Sequence, residues 1–187
     1  MFPRYIQKNI PLALTALRLA LLPFIFYQLV HQLWISSGVL FAIAVCTDVL
    51  DGYLARKWNA VTLAGTLLDP LADKVLVVGC VIALFLHPST HALVPWWFLV
   101  VLVCKELILV VGSAFLGVFS PGVVIAPSLW GKLAMLIQSC LIGWLIVCLI
   151  FGIIPHSSIF LLIGLSLLLI GISLFHYGYM VCKILIK

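Results

Sequence analysis

An all-α, polytopic membrane bundle of six transmembrane helices is the fold this sequence predicts, on three observations. The chain is 66% hydrophobic and 8% charged, with a mean hydropathy of +1.37, more apolar side chain than 187 residues can hide in a water-surrounded core. Apolar runs of about 20 residues, each enough to carry a helix across about 30 Å of hydrocarbon, recur along the whole length. Lys and Arg gather in some connections and are missing from others, as in a chain woven back and forth through a bilayer.

The spacing of these runs predicts spans at about 12–32, 35–56, 67–87, 95–117, 129–153 and 158–180. Pro11, Pro88, Pro95, Pro121, Pro127 and Pro155 mark most of their boundaries. Ahead of the first span, residues 1–11 read as an interfacial segment, with Phe2, Tyr5 and Ile6 toward lipid and Arg4 and Lys8 near headgroups. Its basic start resembles a signal peptide, but no small-residue cleavage site follows, so the first span is expected to be retained. The whole of 1–187 is read as a single membrane domain without linker, low-complexity tract or internal repeat.

Charge sets the orientation. The connections at 31–37, 86–95 and 154–158 contain no Lys or Arg, whereas Arg4 and Lys8, Arg56 and Lys57, and Lys183 and Lys187 lie on the other set of ends. The positive-inside rule then puts both termini and the 56–66 connection in the cytoplasm. A net charge of +5 spread this way forms no basic stripe, and nucleic acid is not an expected partner. Six cysteines, at 46, 80, 104, 140, 148 and 182, lie in apolar segments without CxxC spacing and are expected to be buried reduced thiols.

Against this background all four aspartates of the chain fall within 48–73. Carboxylates withdrawn from water are costly unless paired, protonated or bound to a cation, and acids within membrane segments usually mark function. Asp48 and Asp51 are three residues apart, on one helical face about 4.5 Å apart along the axis. Asp69 and Asp73 are four apart, about 6 Å along the next helix. Two antiparallel helices joined by a short turn present the four carboxylates to each other, a nest of hard oxygen donors suited to Mg²⁺ or Mn²⁺.

The residues around the acids fit a phosphate-bearing substrate. Gly52 and Ala55 leave room for a bulky ligand or a second backbone, although lone small residues in membrane helices more often serve helix packing. Gly65 opens the next helix, where unpaired N–H groups suit a phosphate or a sugar. Arg56 is placed for a bidentate phosphate contact, against its ordinary role as a topology anchor.

Taken together, residues 48–73 follow the pattern D-x2-D-G-x2-A-R-x8-G-x3-D-x3-D at every fixed position, and in this the chain resembles the CDP-alcohol phosphatidyltransferase family. The resemblance implies that Asp48, Asp51, Asp69 and Asp73 surround two divalent metal ions and that Asp73 is also the general base. It further implies that Gly52, Ala55, Arg56 and Gly65 line the CDP pocket, and that the protein is a homodimer. The expected reaction is attack by an alcohol on the β-phosphorus of CDP-diacylglycerol in the membrane, releasing CMP.

For the acceptor, the opening Asn9-Ile-Pro11 through Thr15 and Arg18, the run Leu68-Asp-Pro-Leu-Ala-Asp-Lys74, Lys105-Glu106, and Gly131-Lys132 with Gln138 are similar to bacterial phosphatidylglycerophosphate synthases, which use glycerol 3-phosphate. A phosphate-bearing acceptor needs cations, and Arg18, Lys105 and Lys132 are the candidates. Ser113 stands where that subfamily has a second arginine, and Leu133-Ala-Met follows Lys132 where a further Lys and a Thr are usual. Ser173-Leu-Phe-His176-Tyr177-Gly178 is similar instead to the cardiolipin synthases of the family, whose acceptor is phosphatidylglycerol.

Simpler roles stand beside these. Lys105 and Glu106 are about 100° apart on a helix and so are able to pair with different partners and merely hold spans together. Lys74 and Lys132 are long enough to snorkel to the interface. His31, His87, His91 and His156 fall in or near outer connections, and His176 reads as a satisfied polar contact. A cation transporter or channel is the alternative of another class, since an acidic cluster in a membrane suits it too, but Arg56 and two glycines have no evident use in an ion path. A catalytically dead scaffold would not need all four aspartates.

Overall fold

The computed structural model describes residues 4–58, 63–86, 90, 93–119 and 129–185, with side chains described for 13–50, 72–86, 90, 93–112 and 129–183. Within them the fold is all-helical, with α1 Arg4–Val30, α2 Trp34–Trp58, α3 Leu63–Leu86, α4 Trp96–Phe119, α5 Leu129–Phe151 and α6 His156–Leu185. Each helix coincides with one expected span, the ends differing by a few residues. The largest difference is at the start, where α1 runs unbroken from Arg4 through Pro11, so no helix boundary falls at Pro11. A proline inside a helix loses one backbone hydrogen bond, which is tolerated in apolar helices packed among neighbours; Pro23 of α1 and Pro70 of α3 lie within helices in the same way.

Where proline does mark a boundary, the local bonding shows why. Pro95 and Pro155 immediately precede α4 and α6, and their carbonyls accept the first N–H groups of those helices, Phe98 at 3.0 Å and Ser158 at 3.2 Å. The ends of α1 and α5 share one device. Ile153 N–H bonds the Cys148 carbonyl at 3.0 Å around Gly152 at φ +66°, and Leu33 N–H bonds the Gln28 carbonyl at 2.9 Å around Gln32 at φ +63°. Both are Schellman caps, which place one residue in the left-handed region. Gly152 adopts it without strain, while Gln32 carries the side-chain penalty.

Packing places α1 against α2 and α3, α5 against α2, α3 and α6, and α4 against α3 and α6. The core between them is apolar, with Ile25 and Leu29 of α1, Ala83 and Leu84 of α3, and Leu145 and Ile146 of α5 all buried. Outward faces are apolar as well: Phe24, Ile35 and Leu161 are exposed, and Phe175 is 81% exposed. In water such surface is unfavourable at about 25 cal/mol per Å², a cost that vanishes when the surrounding medium is hydrocarbon.

Among the described residues, Ala13–Val30, Leu129–Phe151 and His156–Lys183 are long and apolar enough to cross a membrane, and Trp34–Leu50 is a shorter apolar stretch. The chain is thus a helical membrane protein. All six cysteines are free, as expected, but only Cys80 and Cys148 are buried; the other four lie on outer faces, where a thiol costs little against lipid.

One contact fixes α4 against α6. A methyl group at Gly112 would lie 3.0 Å from Cε1 of Tyr177 and closer still to its hydroxyl, which is buried without a hydrogen-bond partner. Gly112→Ala is therefore expected to destabilise the protein by about 1–3 kcal/mol through overpacking. Tyr177→Phe, which removes an unsatisfied hydroxyl, should be neutral or stabilising and should relieve part of the Gly112→Ala defect. Thermal unfolding of the two variants and their combination checks this, and additive effects would contradict the contact. Tyr177 belongs to the C-terminal run similar to cardiolipin synthases, and here it packs a helix pair.

Candidate functional site

Arg18 organises the described part of the acidic cluster. It sits in the middle of α1, 1% exposed, one helical turn after Thr15, which is equally buried. Its guanidinium reaches two helices at once: Nη1 donates to Asp73 Oδ1 of α3 at 2.5 Å, and Nη2 lies 3.1 Å from Asp48 Oδ1 of α2. The packing of α1 on both α2 and α3 makes this bridge geometrically available. Asp48 and Asp73, 25 positions apart in sequence, are thereby brought to one cation. Their side chains keep 44% and 22% exposure, so both carboxylates still open to the surroundings.

The other sequence candidates divide into those the structure places and those it does not describe. Asp51, Gly52, Ala55 and Arg56 lie on the last turns of α2, and Gly65 and Asp69 on the first turns of α3. Their side chains lie outside the described residues. Lys132 is exposed in the first turn of α5, with no ion pair to a described acid. Arg18, a candidate acceptor ligand, pairs here with Asp48 and Asp73.

Lys105 and Glu106 form a second charged cluster. Lys105 is 1% exposed on α4 and makes an ion pair with Oε1 of Glu106, its sequence neighbour. The other carboxylate oxygen, Oε2, lies 3.2 Å from Nζ of Lys74 on α3, an ion pair without hydrogen-bond alignment. Sequence reasoning allowed Lys105 and Glu106 different partners because neighbours on a helix point about 100° apart. Long flexible side chains close that gap, and one carboxylate takes both lysines. Lys74 does not snorkel away, because Glu106 holds it beside Asp73 on the same helix.

The donor set fits a hard divalent cation. Asp48 and Asp73 supply carboxylate oxygens from two helices, and they converge on a single positive group here, the guanidinium. No soft donor shares the site among the described residues, since Cys46 faces outward and Cys80 is packed in the apolar core. The arrangement can therefore gather cations at two carboxylates and, through them and Arg18, an anionic phosphate.

Comparison with known proteins decides what this arrangement belongs to. The sequence profile of the CDP-alcohol phosphatidyltransferases matches residues 8–174, nearly the whole chain. The chain belongs to the CDP-alcohol phosphatidyltransferase family. It is 35% identical over 144 residues to a CDP-diacylglycerol--glycerol-3-phosphate 3-phosphatidyltransferase of Haemophilus influenzae, covering 74% of this chain and 75% of that one. It is 32% identical over 146 residues to the like-named proteins of Escherichia coli K12 and Shigella flexneri, covering 75% and 78%. Like its relatives, this CDP-alcohol phosphatidyltransferase is a transferase of phospholipid synthesis, and divalent metal is the family's general requirement. The ion-transport alternative loses its basis, since membership accounts for the acidic cluster.

Proposed function

We propose that this protein transfers the phosphatidyl group of CDP-diacylglycerol to glycerol 3-phosphate, giving phosphatidylglycerophosphate and CMP. The observation that carries the reading is the convergence of Asp48 and Asp73, two of the four signature acids, from separate helices onto one cation. The names of the relatives in Haemophilus and Escherichia support the acceptor.

In this reading Asp48, Asp51, Asp69 and Asp73 hold two Mg²⁺ or Mn²⁺ ions. Ions held there would supply positive charge to the diphosphate and to CMP as it leaves. Gly52, Ala55 and Gly65 leave space for the nucleotide, and Arg56 grips its phosphates. Asp73 takes the proton from the acceptor hydroxyl. The hydroxyl oxygen bonds to the β-phosphorus as the bond from that phosphorus to the CMP oxygen breaks, so that CMP departs with the electron pair. Lys132, exposed in the first turn of α5, is the cation assigned to the acceptor's phosphate, since Lys105 is buried against Glu106.

We infer the same six-span topology that charge distribution supports, with both termini and the site at the cytoplasmic face and acyl chains remaining in the bilayer. A homodimer follows the family resemblance.

The direct test is CMP release by purified protein from CDP-diacylglycerol with Mn²⁺ or Mg²⁺, comparing glycerol 3-phosphate with phosphatidylglycerol. Release is expected with glycerol 3-phosphate and to vanish with a chelator. Release only with phosphatidylglycerol would transfer the protein to the cardiolipin branch. Absence of CMP with every acceptor and metal would overturn the reaction itself.

A further inference from the structure

A buried arginine cannot shed its proton, so its charge must be met by an anion wherever it goes. Arg18 meets this need with the same two carboxylates that the proposed reaction assigns to divalent metal, at 2.5 Å from Asp73 and 3.1 Å from Asp48. A carboxylate oxygen engaged by a guanidinium is a poorer metal ligand, and two cations forced within a few ångströms repel each other strongly where water is scarce. The metal and Arg18 therefore compete for Asp48 and Asp73.

We propose that Arg18 is the resident counter-cation of the aspartate cluster: metal binding displaces it from Asp48 and Asp73, and the diphosphate of the nucleotide then neutralises the displaced guanidinium, which couples metal and nucleotide binding. The inference rests on the reading of 48–73 as a metal-dependent CDP site. Charge makes the case. The four aspartates and the Arg18 guanidinium carry three net negative charges, and the two dications of that reading leave one net positive charge in a site walled by apolar helices. A diphosphate reverses that excess, and the planar fork of Arg18 suits it as it suits the paired carboxylates. Without nucleotide, metal is thus held only weakly, with Arg18 acting as a positioning residue for both.

A purely structural clamp makes the opposite prediction. If Arg18 only held the acids in place, removing it would scatter them and weaken metal binding. Titration of Mn²⁺ into purified protein, with free ion counted by electron paramagnetic resonance and corrected for metal held by CDP in solution, separates the two. For the wild type, CDP should tighten Mn²⁺ binding by the roughly 5–150-fold usual for linked sites. Arg18→Gln should bind Mn²⁺ without CDP about tenfold more tightly than the wild type, the equivalent of one charge-assisted hydrogen bond released. In the same variant the effect of CDP should shrink to the part that direct contact between diphosphate and metal supplies, well below the wild-type factor.

Arg18→Lys keeps the charge but not the fork, should move in the same direction by less, and carries the test if Arg18→Gln does not purify as a folded protein. Equal or weaker Mn²⁺ binding by the variants, with the wild type binding normally, would overturn the inference and leave the site reading standing. A wild type that takes up no Mn²⁺ even with CDP would overturn both.

Discussion

Asp73→Asn is expected to lower kcat for CMP release by at least about a hundredfold, the lower end of what a positioned general base contributes, while the protein remains folded. Asparagine has the shape of aspartate and keeps an oxygen for Nη1 of Arg18, so the bridge from α1 to α3 is weakened rather than broken. Arg18 also retains the charged Asp48. Exchanging a charge-assisted for a neutral hydrogen bond costs on the order of 1–2 kcal/mol, too little to unfold a helical bundle.

Comparison with Asp48→Asn separates the two jobs given to Asp73. Both variants lose a metal ligand, but only Asp73→Asn loses the proton acceptor. Raising Mn²⁺ should therefore recover part of the activity of Asp48→Asn and little of that of Asp73→Asn. Measurement of CMP release across a metal titration, with thermal unfolding in the same detergent, checks both parts. Turnover near normal in Asp73→Asn would remove the general base from the mechanism.

What the sequence made legible has a physical limit. Helix positions were readable because long apolar runs mark them, and the boundaries at Pro95 and Pro155 because a proline carbonyl can start a helix that its own nitrogen cannot continue. The continuity of α1 through Pro11 was not, since the loss of one backbone hydrogen bond need not end a long helix and leaves no mark in composition. The four acids stood out in the sequence because charge is rare in this chain and their spacing is helical. Which cation Asp48 and Asp73 share did not. Arg18 and Asp73 are 55 residues apart, and only the packing of α1 on α3 joins them. The one available signal was a lone arginine in the middle of an apolar span, which has to find an acid somewhere. Lys74 and Glu106 were missed as a pair for the same reason, being on different helices.

Glu106→Gln is expected to be the most destabilising of the substitutions considered, by about 3–5 kcal/mol, the usual effect of removing one member of a buried ion pair. Its carboxylate serves Lys105, which is almost wholly buried, and Lys74, which is four-fifths buried. Glutamine leaves two ammonium groups in an apolar setting with their shared counter-charge gone. The double variant Lys105→Met/Glu106→Gln should recover part of the loss, because a methionine fills the space of the lysine stem without a charge to satisfy. Chemical unfolding in mixed micelles gives the three stabilities, and a loss under about 1 kcal/mol for Glu106→Gln would mean that the pair behaves like an exposed one. A catalytic consequence follows from position. Lys74 adjoins Asp73, so the Glu106 contact ties to α4 the turn of α3 that presents the base. Releasing that turn should depress kcat in the fraction of Glu106→Gln that remains folded, since misplacement of about 1 Å at a reacting group costs about a hundredfold.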